Sequence, residues 1–239
     1  MLEIEDLQVN AGEKQIIHDI NITVESGKIV VLMGPNGSGK STLCKSIMGD
    51  PSYHITKGRV KLDGEDITSI TTYEKAKHGL FMVFQEPEEI DGLSALRFMR
   101  SAYLKLTNKK GDDFLKRLEE AKKMVQIKED LLANSLNTTA SGGEKKKLEI
   151  LQMIIFGPKY ALIDEFDSGL DVDSIKKISK IINELGIGSL VVTHNPAVLN
   201  HLNVDTVHII NNGGIVASGG PELANRIEKE GFAWAQKKS

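Results

Sequence analysis

The stretch that decides the fold of this chain is Gly34-Pro35-Asn36-Gly37-Ser38-Gly39-Lys40-Ser41-Thr42, which fits the pattern G-x-x-x-x-G-K-[ST]. The apolar run at residues 28–33 precedes it and has the length and β-branching of a buried strand. Leu43, Ile47 and Met48 follow it with the spacing of a helix face. We therefore predict a glycine-rich loop at a strand-to-helix turn.

The chemistry of this loop favours a nucleotide phosphate chain. Backbone N–H groups at such a turn can surround an anion. Lys40 would add positive charge at the β- and γ-phosphates, and the Ser41 hydroxyl would hold Mg²⁺. The predicted nucleotide-binding residues of the loop are Gly34, Pro35, Asn36, Gly37, Ser38, Gly39, Lys40, Ser41 and Thr42. A glycine-rich turn without a ligand is the alternative, disfavoured because strand, loop and helix are in register.

Composition bounds the class of protein. A chain of 239 residues with 40% hydrophobic and 26% charged residues fits one large α/β domain with room for an inserted subdomain. The net charge of −3 gives no electrostatic reason to expect that the chain binds nucleic acid or an anionic membrane. No apolar run reaches eighteen residues, so we expect a cytoplasmic protein without direct membrane insertion. The single cysteine, Cys44, is expected to be a small buried side chain.

The pattern along the chain predicts three layers. Strands at residues 2–9, 20–24 and 58–63 indicate an antiparallel N-terminal layer, and those at 29–33, 80–84, 159–163 and 190–193 indicate a parallel core. Between residues 91 and 155 the pattern becomes helical, with Asp112 as a plausible N-cap. We predict a core of residues 1–90 and 156–239 that carries a helical subdomain at 91–155.

Two carboxylates, Asp164 and Glu165, end an apolar strand. In phosphoryl-transfer sites a carboxylate in that place orients Mg²⁺, and a neighbouring one can polarise the attacking water as a general base. We predict the first role for Asp164 and the second for Glu165. Two exposed acids that merely close a strand are the alternative, which the phosphate loop makes less favourable.

Ser141-Gly142-Gly143-Glu144 has the form of a capping box at a helix start. The two glycines cost helix stability, so a cap alone does not account for them. They are understandable if the helix N-terminus meets a phosphate through bare N–H groups. Both interpretations can hold together.

Taken together, these segments resemble the ATP-binding-cassette ATPases over nearly the whole chain. The resemblance implies an α/β P-loop NTPase fold with a RecA-like core, ATP and Mg²⁺ as cofactors, and ATP hydrolysis. It identifies residues 34–41 as Walker A, Asp164 and Glu165 as Walker B, and Ser141 to Glu144 as the signature. It also identifies Gln85 as the Q-loop glutamine that reaches Mg²⁺ or the water, the segment ending at Asp171 as the D-loop, and His194 as the switch histidine.

The family resemblance also implies a head-to-tail sandwich of two copies when ATP is bound. In it, Ser141, Gly142, Gly143 and Asp171 of one copy would contact the ATP held by the phosphate loop of the other. The chain departs from the family at Ala140, where leucine is usual, and at residues 9–11, where many members have an aromatic that stacks on adenine. The preference for ATP over GTP is therefore left open.

Several segments between the motifs are similar to one group within the family, the SufC ATPases of the SUF iron–sulfur cluster assembly machinery. They are residues 84–94, 143–152, 164–173 and 216–234. This similarity implies scaffold partners of the SufB/SufD type, which would dock around residues 85–99. A weaker hypothesis pairs Lys146 with Glu165 in the isolated subunit, where it would suppress hydrolysis, and a solvated basic helix face is its alternative.

Two further functions remain open at this stage. The ATPase subunit of an ABC membrane transporter would use the same chemistry to drive a separate permease. A nucleotide-gated interaction module would bind ATP with little turnover, but Glu165 and His194 argue against it because a pure binder needs no base.

Overall fold

The computed structural model describes residues 1–107 and 109–232, which form an α/β structure. Its strands are β1 (Leu2–Ala11), β2 (Lys14–Val24), β3 (Ile29–Met33), β4 (His54–Leu62), β5 (Glu65–Asp66), β6 (Leu80–Val83), β7 (Ile90–Ser94), β8 (Ser135–Leu136), β9 (Tyr160–Asp164), β10 (Gly188–Thr193), β11 (Val204–Asn211) and β12 (Gly214–Gly219). Its α-helices are α1 (Lys40–Met48), α2 (Thr72–His78), α3 (Ala95–Thr107), α4 (Gly111–Val125), α5 (Glu129–Ala133), α6 (Gly142–Phe156), α7 (Val172–Leu185) and α8 (Glu222–Glu230). A 3₁₀ helix spans Pro196–His201.

The central sheet has the strand order β12-β11-β3-β10-β9-β6. Its strands pair in parallel, except for the antiparallel edge strand β12. Strands β3, β9 and β10 are buried along their whole length, as expected for a parallel sheet covered on both faces. The carboxyl ends of β3, β6, β9 and β10 therefore lie along one edge of the sheet.

Alternate residues of the central strands belong to two separate hydrophobic cores. Val30 and Leu32 of β3 pack with α1 and with a second sheet, whose antiparallel order is β2-β1-β4-β5. Val31 and Met33 pack on the opposite face with α3, α4, α6 and α7. Cys44 is buried in the first core and burial raises the pKa of its thiol, in agreement with the expected small buried side chain.

The segment that the sequence indicated as helical contains α3 to α6, but it also contains strand. Strands β7 and β8 pair antiparallel, with Ile90 opposite Leu136. The prediction of Asp112 as an N-cap is wrong. Helix α4 begins at Gly111 after Lys110, whose backbone N–H donates to the Asp113 carboxylate at 3.3 Å, and Asp112 lies inside the first turn. An aspartate there still interacts favourably with the helix dipole.

Two further observations bear on the sequence predictions. Among residues 1–107 and 109–232, no helix is both long and apolar enough to cross a membrane. The tail segment at residues 216–234 lies within the described part only as far as residue 232, so Ala233 and Trp234 fall outside it.

Candidate active site

The phosphate loop joins β3 to α1 in the predicted manner. Gly39 lies before the helix at φ +105°, a conformation that favours glycine, and it offers no side-chain cap to the first turn. The N–H groups of that turn are thus left for a ligand. A Cβ atom at residue 34 would lie 2.3 Å from the Ile210 carbonyl oxygen, so the loop can approach β11 only with glycine there.

Lys40 is fixed within the loop, with only 4% of its surface exposed. Its ammonium group donates to the carbonyl oxygens of Gly34 at 2.9 Å and Pro35 at 3.0 Å. Burial lowers the pKa of Lys40, while the carboxylates of Glu165 and Asp164 oppose that shift. A cation in this place provides the positive charge that a phosphate chain requires.

Asp164 is a buried carboxylate at the carboxyl end of β9. Neither of its oxygens has a hydrogen-bond partner among the described residues. Burial raises the pKa of Asp164, the nearby Ser41 hydroxyl lowers it, and the charge of Glu165 raises it further. A buried carboxylate with two free oxygens beside a serine hydroxyl fits Mg²⁺, which takes one or two protein oxygens together with water and phosphate oxygens.

Glu165 is the point at which three predicted residues meet. The Gln85 amide donates to its Oε2 at 2.7 Å, His194 Nδ1 lies 3.2 Å from its Oε1, and Lys40 Nζ lies 3.9 Å from Oε1. Gln85 and His194 follow β6 and β10, the two neighbours of β9 in the sheet, and Lys40 begins α1 after the loop that leaves β3, which lies beyond β10 on the same sheet edge. Glu165 is buried and has φ +43°, a left-handed conformation that is uncommon for a residue other than glycine.

The hypothesis that Lys146 pairs with Glu165 is wrong. Lys146 Nζ lies 3.5 Å from Glu149 Oε2, one turn along α6, and it donates to the Phe84 carbonyl oxygen. The alternative of a solvated face is also wrong for this residue, because Lys146 is only 2% exposed. Glu165 finds its cationic neighbour in Lys40 instead, which lies nearer because β3 and β9 flank β10 in the same sheet.

The glycine-containing signature begins α6 with the expected capping box. The Ser141 hydroxyl accepts from the backbone N–H of Glu144, whose carboxylate accepts from the Ser141 N–H at 3.0 Å. A hydrogen bond from Lys128 and those from Ser141 lower the pKa of Glu144 to about 2. Asp171 caps α7 in a similar way and accepts from the Ser174 N–H at 2.8 Å.

The residues of the signature and Asp171 do not line the cleft beside their own phosphate loop. That cleft measures about 400 Å³ and is lined by Ile16, Asn36, Gly37, Gly39, Lys40, Ser41, Thr42, Gln85 and Glu165. Gly142 lines a different cleft instead, together with Gln85, Lys145 and Gly169. The structure thus gathers the loop, Gln85, Glu165 and His194 in one place, and neither the signature nor Asp171 lines that cleft.

Comparison with known proteins decides the family. Residues 17–168 match the family described as ABC transporter, and this stretch contains the phosphate loop, Gln85, the signature, Asp164 and Glu165. The chain is a member of the ATP-binding-cassette family. It is accordingly an ATPase that binds ATP and uses Mg²⁺.

Relatives of this cassette ATPase match it over almost their full length. A probable ABC transporter ATP-binding protein of Streptococcus pyogenes is 42% identical over 98% of this chain and 94% of its own. The probable ATP-dependent transporter SufC of Escherichia coli is 37% identical over 98% of both chains. Sequence similarity therefore includes SufC but is not confined to it.

Solved cassettes have the same fold. The ATP-binding subunit of an ABC transporter superposes with a TM-score of 0.84 at 23% identity, over 99% of this chain and 100% of that one. A bacterial ABC transporter cassette that was solved as a dimer gives 0.80 at 24% identity, over 92% of this chain and 99% of that one. The α/β P-loop fold expected from the sequence is confirmed.

Two features of this cassette's site escaped the sequence analysis. Ile16 of β2 lines the cleft beside the phosphate loop, although nothing but its apolar character in a strand marks it in the sequence. The buried carboxylate of Asp167 accepts from the Thr193 hydroxyl at 3.1 Å, and the Asn195 N–H donates to the same hydroxyl at 3.0 Å. This network ties the segment after Glu165 to the residues on either side of His194.

Proposed function

We propose that Glu165 acts as the general base of ATP hydrolysis in this chain. The observation that carries the proposal is the convergence of Gln85, His194 and Lys40 on its carboxylate. In the proposed mechanism Glu165 accepts a proton from the attacking water, His194 orients that water and contacts the γ-phosphate, and Gln85 reaches the water or the metal.

The phosphate chain would be held by residues 34–42, with Lys40 at the β- and γ-phosphates. Ser41, Asp164 and Gln85 would hold Mg²⁺, which neutralises charge that develops on the phosphates. Ile16 offers the cleft an apolar surface for a nucleotide base, in place of the aromatic side chain that the sequence lacks near residues 9–11. An apolar side chain does not distinguish adenine from guanine strongly, so we expect modest base selectivity.

The proposed site is completed by a second copy of the chain. Ser141, Gly142, Gly143 and Asp171 lie away from the cleft of their own phosphate loop, so in a head-to-tail dimer they are available to the ATP of the partner. Within each copy we propose that residues 1–90 and 156–239 form the catalytic core and that residues 91–155 form a helical subdomain that carries the signature.

We further propose that the ATPase serves a SUF-type iron–sulfur cluster assembly complex in the cytoplasm. The 37% identity to SufC of Escherichia coli supports this, as do the SufC-like segments around Gln85 and Glu165. ATP-driven closure of the dimer would remodel a scaffold of the SufB/SufD type. The ATPase subunit of a membrane transporter is the second candidate, because several relatives carry the description ABC transporter.

The proposed docking site for the scaffold is an apolar groove between the end of β6 and α3. The groove encloses about 520 Å³ and is lined mainly by apolar side chains, among them Phe81, Phe84, Ile90 and Phe98. Phe84 and Ile90 are both exposed and line the same groove, and a contiguous exposed apolar surface of this kind marks an interaction site. We propose that an apolar helix of the scaffold fills the groove.

A purification under native conditions separates the two candidates. The tagged chain is expected to recover proteins that carry iron and acid-labile sulfide from the membrane-free fraction. Recovery of a permease from solubilised membranes, with no iron–sulfur protein, would establish the transporter role instead. The variant Ile90→Asp should abolish recovery of the scaffold, whereas Leu115→Asp, at an exposed apolar residue on α4, should leave recovery unchanged.

A further inference from the structure

Two buried charged side chains of α6 hold both backbone polar groups of one residue, Phe84. Glu149 Oε1 accepts a hydrogen bond from the Phe84 N–H at 2.8 Å, and the Lys146 ammonium group donates to the Phe84 carbonyl oxygen. Lys146 Nζ lies 3.5 Å from Glu149 Oε2, and neither side chain is more than 5% exposed. Both backbone polar groups of residue 84 thus have ionic partners, an arrangement we call the clamp.

The position of Phe84 explains why such a clamp matters. Strand β6 ends at Val83, so residue 84 lies beyond the ladder of hydrogen bonds that fixes the sheet. The next residue is Gln85, whose amide donates to Glu165 at 2.7 Å. Fixing the backbone of Phe84 on both sides of its Cα therefore fixes the point from which the Gln85 side chain starts.

Stability alone does not account for the clamp. Transfer of two charges into a protein interior is costly, and apolar side chains of similar volume often stabilise such a position as well or better. Burial raises the pKa of Glu149 to about 7, which shows that its charged form is disfavoured here. The rest of the buried face of α6 is largely aliphatic, including Leu148, Ile150 and Leu151.

We propose that Lys146 and Glu149 are positioning residues for ATP hydrolysis, which hold the backbone of Phe84 so that Gln85 stays against Glu165. The proposal rests on the role proposed above for Gln85. It adds that the placement of Gln85 is set by α6, the helix that begins with the signature. Phe84 and Glu149 also line the apolar groove, so the clamp lies between that groove and the ATP cleft.

The test removes both charges together, because removal of one would leave the other buried and unpaired. In the clamp variant, Lys146→Met/Glu149→Leu, we expect turnover at saturating Mg-ATP to fall about tenfold, since small displacements of a positioned group have effects of this size or larger. Affinity for a fluorescent ATP analogue should stay within about twofold of the parent, because the phosphate loop is untouched. The matched control is Lys122→Met/Glu119→Leu, an ion pair of the same i,i+3 spacing on α4, which should change neither quantity.

A double-mutant cycle distinguishes positioning from a general structural effect. If the clamp acts through Gln85, the clamp variant combined with Gln85→Ala should have the same turnover as Gln85→Ala alone. Multiplication of the two losses, or unchanged turnover in the clamp variant, overturns the proposal. Unchanged turnover in Gln85→Ala alone would overturn the role of Gln85 as well, which distinguishes the two failures.

A milder variant keeps the proposal testable if the clamp variant does not fold. Lys146→Met/Glu149→Gln retains an oxygen that can accept from the Phe84 N–H but carries no charge. We expect it to lose about threefold in turnover, between the parent and the clamp variant. A loss as large as that of Gln85→Ala, or no loss, contradicts the proposal that each of the two hydrogen bonds to Phe84 contributes part of the effect.

Discussion

The replacement Glu165→Gln tests the proposed general base with little disturbance of the site. Glutamine has the same shape, and its amide oxygen can still accept from the Gln85 amide that now donates at 2.7 Å. Its NH₂ group can still face His194 Nδ1. What is lost is the ability to accept a proton from water.

The size of the effect follows from that loss. A general base contributes about 10²–10⁴ to a rate, so the barrier should rise by about 3–5 kcal/mol. Binding should persist, because Lys40 and the phosphate loop are unchanged, and the ATP-bound dimer should accumulate. Phosphate release at saturating Mg-ATP measures the rate, and size-exclusion chromatography in Mg-ATP measures the dimer.

The matched control is Glu184→Gln, at an exposed residue of α7 that pairs with Lys180 at 3.7 Å. It should match the parent in both assays. Turnover of Glu165→Gln within about threefold of the parent would refute the assignment of the base, since a lost base has far larger effects. A chain that binds Mg-ATP but stays monomeric would refute the proposed head-to-tail dimer.

Three further predictions follow from the packing and electrostatics of the site. Gly34→Ala should destabilise the fold by about 1–3 kcal/mol, because its Cβ would meet the Ile210 carbonyl oxygen at 2.3 Å. In Gly142→Ala the added Cβ would have no atom within 4 Å, so this variant should keep the parent's melting temperature yet lose ATP turnover. Asp164→Asn should raise the melting temperature in Mg²⁺-free buffer by about 2–4 °C, because it removes a carboxylate whose charged form is disfavoured by burial, and should nearly abolish hydrolysis. The pKa of Glu149 is about 7 in the folded state and 4.5 ordinarily, so the folded state binds this proton more tightly than the unfolded state does. The free energy of unfolding should therefore fall as the pH rises between these two values, by up to about 3 kcal/mol. Urea titrations at several pH values should show this slope in the parent and not in the clamp variant.

Local patterns were sufficient for much of the site. The phosphate loop follows from glycine spacing between a buried strand and a helix, and the capping box at Ser141 needs only four consecutive residues. Asp164 and Glu165 could be predicted from their place at the end of an apolar strand. Gln85 and His194 followed from the resemblance to the cassette ATPases, and the structure brings both to Glu165.

Other features depend on residues far apart in the chain, and no local pattern contains them. Strand β7 pairs with β8, which lies about 45 residues further along the chain. Ile16 reaches the cleft only because the two sheets enclose α1. Lys146 was expected either against Glu165 or in solvent. The structure buries it against Glu149 and Phe84, because α6 packs its lysine-bearing face on the end of β6.

The sequence by itself determined that this chain binds a nucleotide and belongs among the cassette ATPases, because both follow from residues that are neighbours along the chain. Only the tertiary structure decided which charges meet. Lys40, rather than Lys146, lies beside Glu165, because the strand order of the central sheet sets that distance. The packing of elements that are distant in the chain determines which buried charges lie together. An unpaired charge costs most free energy in the protein interior, so these pairings matter most there.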